Sequence, residues 1–159
     1  GNDTTRNTLS GAIKLLTENP DQKQKLIENP ELMPNFLQEC IRMVSPVIHM
    51  RRTTTCETEL GGQLMGPGEK IVMWYGAANR DPSVFTNPDK FDIERENADK
   101  HLAFGIGRHT CVGKPVALMQ LEESYKQILS RFPNIRMSGN WKVAPNNFVH
   151  AILEMPVKF

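Results

Sequence analysis

No stretch of this chain stays apolar for anything near the roughly 18 residues that a membrane-spanning helix needs. Charge of neither sign prevails: 19 Lys and Arg stand against 18 Asp and Glu, a formal net charge of +1. A chain so balanced has no overall field to draw it to nucleic acid or to an anionic membrane, so its partners must be chosen by local sites. Cysteine is scarce and odd in number. Cys40, Cys56 and Cys111 show no short paired spacing, which argues against a disulfide framework and against a Cys-x-x-Cys zinc site. At least one thiol is therefore left for other chemistry. Internal repeats and low-complexity segments are missing, as is an initiator methionine. The opening GNDTTRNTLS has neither the basic start nor the apolar core of a secretion signal. From these absences a soluble, cytoplasmic protein is expected, and the opening in mid-helix suggests a fragment.

What is present fits one globular unit. The 159 residues are 39% hydrophobic and 23% charged, enough for a single core and too few to suggest two. Leu9, Ile13 and Leu16 recur at roughly helical spacing from the start. Two Asn-Pro pairs follow, Asn19-Pro20 and Asn29-Pro30. Each reads as an N-cap with proline at the first helical position, and the second helix should run to about Val44, where Ser45-Pro46 stops it. The segment VIHMRRTTTCETELGGQLMGPGEKIVMWYGA is rich in β-branched residues and punctuated by glycine, and predicts a small antiparallel sheet. Residues 78–100 carry several Asx-Pro and Pro-Asx pairs and no sustained period, the mark of an ordered irregular loop. Leu118, Leu121, Tyr125, Ile128 and Leu129 form an apolar stripe on a helix from about Lys114 to Phe132. Alternation around Phe148, His150 and Ile152 predicts closing strands. The fold class expected is mainly α with a minor antiparallel β-sheet.

The stretch HLAFGIGRHTCVGKPVALMQ, residues 101–120, carries the chemistry. Cys111 stands just before the helix starting near Lys114, where unpaired backbone N–H groups and the positive end of the helix dipole favour a thiolate. Gly105 and Gly107 reach backbone angles closed to other residues, and Gly113 withholds a side chain where a flat ligand would approach. His109 offers a donor at the edge. Such a loop suits a soft metal centre with a single protein ligand, which haem iron accepts. Zinc would require more ligands close by. From spacing alone, a buried cysteine packed under the helix fits as well.

The run F-G-x-G-x-H-x-C-x-G, Phe104 to Gly113, resembles the haem-binding signature of the cytochrome P-450 superfamily of haem-thiolate monooxygenases. GNDTT, residues 1–5, resembles the acid-alcohol motif of that family's distal helix, and Glu39-x-x-Arg42 its buried Glu-x-x-Arg pair. The segments NRDPSVF and PDKFD lie between the motifs in the family's order. This resemblance spans nearly all of the chain and well under half of the family's fold. It implies the C-terminal part of a bacterial-type enzyme, a single haem-binding portion over residues 1–159.

The resemblance implies a role for each matched residue. Cys111 becomes the axial thiolate of haem b, iron protoporphyrin IX, and Phe104 packs beside its sulfur. His109 and Arg52 match positions that bind the haem propionates; Arg51 is the neighbour in register, and a solvated strand residue is the plain alternative for Arg52. Asp3 and Thr4 match the acid and alcohol that deliver protons to dioxygen. Glu39 and Arg42 are structural. Their usual third partner is an arginine where this chain has Lys90, whose ammonium lacks the planar fork, so Lys90 or Arg95 takes that place. Val47, Ile48 and Phe148 match pocket-lining positions and would look no different as plain core residues; their apolar character suggests a lipophilic small-molecule substrate of terpenoid, steroid or fatty-acyl type. Lys114, Lys126 and Arg131 lie on or near that helix and would meet an acidic ferredoxin-type electron donor, or are merely solvated. Three further readings stand beside monooxygenation: a haem-thiolate protein with other chemistry, a truncated remnant, and self-association through faces left bare by an absent N-terminal part. No nucleic-acid or membrane partner is expected.

Overall fold

Apolar residues three and four apart start the chain as an amphipathic helix. In the computed structural model, which describes residues 2–159, this is α1, Thr4–Glu18. It buries Ala12 and Leu16 against α3, Met33–Val44, whose Phe36, Leu37, Cys40 and Ile41 are the centre of the core. At Gly11 the helices come close: a Cβ there would lie 2.6 Å from Cγ2 of Val44, so only hydrogen fits. Between them lies α2, Pro20–Glu28, which adds Leu26.

The two asparagines before proline act differently from the N-caps expected of them. Asn19 Nδ2 donates to the Leu15 carbonyl at 2.8 Å, and Asn29 Nδ2 donates to the Lys25 carbonyl at 3.0 Å. Each side chain thus closes the helix behind it, while the Asn19 carbonyl accepts from Gln22 and Lys23 to begin α2. The segment from Pro30 is not one helix either. A 3-10 turn, Pro30–Leu32, precedes α3, because Pro34 has no N–H to give the Pro30 carbonyl. Ser45 ends α3 in the left-handed region, φ 42°, with its N–H on the Ile41 carbonyl.

The expected sheet consists of two antiparallel pairs. β1, His49–Thr53, pairs with β4, Lys70–Trp74, in the register His49 to Trp74 and Arg52 to Ile71. β2, Thr58–Leu60, and β3, Gln63–Met65, form the hairpin between them. A short helix α4, Tyr75–Ala78, leads into the irregular loop, which carries Phe85, Phe91 and Ile93 into the interior. The long helix α5 runs Lys114–Arg131, as its apolar stripe predicts. Leu121 and Tyr125 are its buried contacts, with Leu118 and Leu129 at the core's edge. Tyr125 is fully buried and donates its hydroxyl to the Leu9 carbonyl of α1 at 2.6 Å. Two small pairs close the chain: β5, Arg136–Met137, with β8, Val157–Lys158, and β6, Lys142–Val143, with β7, Ile152–Glu154. No helix among the described residues is long and apolar enough to cross a membrane.

Candidate active site

The loop before α5 is shaped by glycine where only glycine fits. The Gly105 N–H closes a turn on the Leu102 carbonyl at 2.8 Å, and its φ is 72°. A Cβ at Gly105 would also meet the His109 carbonyl oxygen at 2.9 Å, closer than such atoms approach. Gly107, φ 62°, opens a 3-10 turn, Gly107–His109, and faces open space. The chain then doubles back, so that the Cys111 N–H reaches the Phe104 carbonyl at 2.8 Å, and the Cys111 carbonyl accepts from Lys114 at 3.2 Å as α5 begins. The Cys111 thiol is exposed and borders a cavity of about 400 Å³. A Cβ at Gly113 would touch its Sγ at 3.7 Å.

That cavity brings together most of the residues expected at the site. Cys111, Phe104, Gly105, His109 and Gly113 border it on the loop side, and Thr4 and Val47 come from α1 and from the turn after α3. Others stand apart. Asp3 turns from the cavity, its Oδ1 accepting from Arg6 Nη2 at 2.9 Å and Asn7 Nδ2 at 3.3 Å. Arg52 shares a strand face with Met50, which does border the cavity, but its Nη1 donates to the Arg51 carbonyl at 2.9 Å. Ile48 lines a different cleft, under Trp141 and Ile152, and Phe148 lies edge-on to His49, with ring centres 5.9 Å apart. These two are not neighbours of Cys111 in this structure. The walls also include Thr5, Thr8, Ala117 and Leu121, none of which the sequence reading named as site residues; Leu121 it placed in the apolar stripe of the helix. Four-residue spacing from Thr4 to Thr8, and from Gly113 through Ala117 to Leu121, is the signal that marks them. Thr5 is the unusual one: its hydroxyl is buried and has no hydrogen-bond partner.

Behind the loop a buried ion pair fixes the scaffold. Glu39 and Arg42 are both wholly buried, joined through Nε to Oε2 at 2.7 Å and Nη2 to Oε1 at 2.8 Å. The third partner is Arg95, whose Nε reaches Glu39 Oε1 at 3.2 Å. Lys90 does not fill that place: its ammonium faces Asp92 at 3.2 Å, and only its carbonyl enters the network, accepting from Arg42 and Arg95. An ammonium on a flexible stem gains more from water and a nearby carboxylate than from a buried fork. His101 starts the loop, buried against Phe104 with ring centres 5.7 Å apart. Its Nδ1 accepts from the Ala103 N–H at 3.2 Å and its Nε2 lies 3.1 Å from Gln38 Oε1, a pairing that requires the neutral Nε2–H tautomer. Burial first, and the Lys114 charge second, hold its pKa down at about 4.

The three cysteines are thereby distinguished. Cys40 is sealed in the core, where burial and then the Glu39 charge push its thiol well above the ordinary range. Cys56 is exposed beside the β2–β3 hairpin, away from the cavity. Of the three, Cys111 alone borders the cavity. Among the described residues no three His, Cys, Asp or Glu side chains gather to hold a metal ion. Iron at Cys111 would therefore need its other ligands from a cofactor. The walls fit that kind of group: they are mainly apolar, glycine lets the backbone turn close to the sulfur, and Val112 beside it is 98% exposed on the same cavity. A flat, largely apolar macrocycle with one soft axial ligand matches this donor set.

Comparison with known proteins agrees with the geometry. The chain is 40% identical over 157 residues to a linalool 8-monooxygenase of Pseudomonas putida, covering 99% of this chain and 38% of that protein. It is likewise 40% identical over 162 residues to a steroid C26-monooxygenase of Mycobacterium tuberculosis, covering 100% of this chain and 43% of the relative. The solved structure of cytochrome P450-153 from Novosphingobium aromaticivorans superposes with a TM-score of 0.94 at 46% identity, over 98% of this chain and 40% of that one. The chain thus spans about two fifths of the length of these relatives. The family model for cytochrome P450 matches residues 1–156. With that match across almost its whole length, and a cysteine loop built as described, this chain belongs to the cytochrome P450 family.

Proposed function

We propose that residues 1–159 form the haem-holding portion of a bacterial-type, cytoplasmic monooxygenase that hydroxylates a lipophilic small molecule. The observation that carries this reading is that the Cys111 sulfur and Thr4 border the same apolar cavity. Cys111 is the thiolate ligand of haem b, and Phe104 shields the sulfur from water. His109 and Arg52 pair with the propionates, Arg52 by releasing the Arg51 carbonyl, since an arginine fork gains more from a carboxylate than from one carbonyl. When bound, the haem supplies activation of dioxygen, assisted by electron donation from the thiolate.

The remaining steps belong to side chains of this chain. The Thr4 hydroxyl donates a proton into the cavity. Asp3, one residue earlier and half exposed, carries the replacement proton from solvent on Oδ2, while Arg6 and Asn7 hold its carboxylate by Oδ1. Val47 and Met50 give the substrate an apolar wall. The class proposed is terpenoid, steroid or fatty-acyl; the linalool and steroid relatives support the first two. Two electrons come from a ferredoxin-type donor, attracted by the basic residues of α5, Lys114, Lys126 and Arg131.

The test is the carbon monoxide difference spectrum of the haem-loaded, reduced protein. A thiolate-type Soret band is expected in wild type, Cys40→Ala and Cys56→Ala, and none in Cys111→Ala. Loss of the band in Cys56→Ala with retention in Cys111→Ala would overturn the ligand assignment.

A further inference from the structure

Asn79, just beyond α4, has no exposed surface and bonds through each of its polar groups to three stretches of chain: α4, the end of α3 and the start of the cysteine loop. Its N–H donates to the Tyr75 carbonyl at 2.8 Å. Its carbonyl accepts from Arg42 Nη1 at 2.7 Å, which ties it to the buried ion pair. Its Nδ2 donates to Ser45 Oγ at 2.8 Å, and that hydroxyl in turn donates to the Arg42 carbonyl at 2.9 Å. Its Oδ1 accepts from the Leu102 N–H at 2.7 Å, at the start of the cysteine loop.

From Leu102 the connection to the sulfur is short. The Leu102 carbonyl closes the turn at Gly105, and the Phe104 carbonyl inside that turn receives the Cys111 N–H. The same helix α4 puts Tyr75 on the cavity wall, its hydroxyl 3.7 Å from where a Cβ on Gly105 would stand. We propose that Asn79 is a positioning residue that fixes Cys111 against the Glu39–Arg42 pair, by clamping Leu102 with one end of its amide and the end of α3 with the other. The proposal rests on the reading of Cys111 as the ligand.

The chemistry of this spot admits asparagine and little else. The side chain must accept from a backbone N–H and donate to a hydroxyl whose own hydrogen is already committed to Arg42. Aspartate keeps the acceptor for Leu102 but has no donor for Ser45. Leucine has neither, and strands a buried N–H. A neighbouring case gives a control. Asn35 also ties α3 to the irregular loop, donating to the carbonyls of Ile93 at 2.7 Å and Arg95 at 3.1 Å, but its side chain makes no hydrogen bond with residues 101–113.

Two measurements on Asn79→Leu, Asn79→Asp and Asn35→Leu decide it. The first is amide hydrogen exchange at Leu102 and Cys111. Asn79→Leu should speed both by about tenfold or more, as leaving one buried N–H unpaired requires, and Asn79→Asp should leave Leu102 near wild type. Asn35→Leu should change neither amide. The second is the thiolate fraction of the haem-loaded protein in the carbon monoxide spectrum, which should fall in Asn79→Leu, recover in part in Asn79→Asp, and hold in Asn35→Leu. Equal losses in Asn79→Leu and Asn35→Leu at matched thermal stability would make Asn79 an ordinary buried amide and overturn the proposal, as would unchanged exchange in Asn79→Leu. Should Asn79→Leu fail to fold, Asn79→Asp decides: Leu102 protected with a reduced thiolate fraction upholds the clamp, and fast exchange at Leu102 refutes it. A wild-type protein lacking the thiolate band would sink the reading of Cys111 instead, while the exchange measurement still judges Asn79.

Discussion

Replacing Glu39 by alanine removes the acceptor around which the irregular loop is organised. Its carboxylate receives Arg42 Nε and Nη2 at 2.7 and 2.8 Å, Arg95 Nε at 3.2 Å and the Asp92 N–H at 3.1 Å. Removal leaves two guanidinium groups, 0% and 7% exposed, without a counter-charge. Breaking one member out of a buried pair costs about 3–5 kcal/mol. The lower end applies, since Arg42 keeps the carbonyls of Asn79, Pro88 and Lys90, and Arg95 keeps those of Thr86, Asn87 and Lys90. A loss of about 3 kcal/mol, with a urea slope of about 2 kcal/mol per M, moves the unfolding midpoint down by about 1.5 M. Against a total of roughly 5–15 kcal/mol, that is enough to threaten the fold. The assay is urea denaturation followed by tryptophan fluorescence, with Glu122→Gln as a control, because Glu122 pairs with Lys126 on an exposed turn of α5. A Glu39→Ala midpoint indistinguishable from that control, at unchanged slope, would refute the reasoning.

Gly105→Ala should cost more than Gly107→Ala. Both sit at positive φ, worth about 1–2 kcal/mol for an L side chain, but only at Gly105 does the new Cβ collide with a carbonyl, that of His109; haem retention on gel filtration should fall in the first and largely survive in the second. Phe36→Ala, which empties the centre of the core where Phe36 packs on Phe91 and Tyr125, should destabilise by about 3–5 kcal/mol in the same urea assay. The histidine at 101 predicts an acid-side weakness. Its folded pKa, about 4, lies below the 6.5 of an ordinary histidine, so the unfolded chain binds the proton more tightly. Stability from this group is full above about pH 6.5 and declines as pH falls toward 4, by about 3 kcal/mol in all; His101→Gln should flatten that part of the stability-pH curve, and an unchanged curve would count against it.

Local signals and long-range ones fared differently in the sequence. The stripe Leu118, Leu121, Tyr125 and Leu129 and the lysine-proline start of α5 are read within a few turns of chain, and the helix appears where they place it. The cysteine loop is legible for the same reason, since glycine at 105 and 107 reaches positive φ without help from distant residues. Direction and partner are harder. An asparagine before proline offers both a donor and an acceptor, and whether it closes one helix or opens the next depends on which carbonyls are free, as Asn19 and Asn29 show. Val47 and Ile48 are equally apolar, yet the bridge of Val47 to Val149 and the bond of Ile48 to Phe148 send them to different clefts. Lys90 and Arg95 are both candidates for Glu39 in the sequence; Arg95 takes the place because its fork suits a buried carboxylate, and which of the two the loop folds inward is a matter of its three-dimensional path.

The phenol that joins α5 to the Leu9 carbonyl has a consequence for how this cleft can change. One helix carries the threonines of the cavity, and the other starts at the cysteine turn, so this buried hydroxyl, with the core packing around Tyr125, ties the upper jaw to the lower. Substitutions that reshape the chamber will be tolerated along its sides, at Val47 and Met50, sooner than at its height.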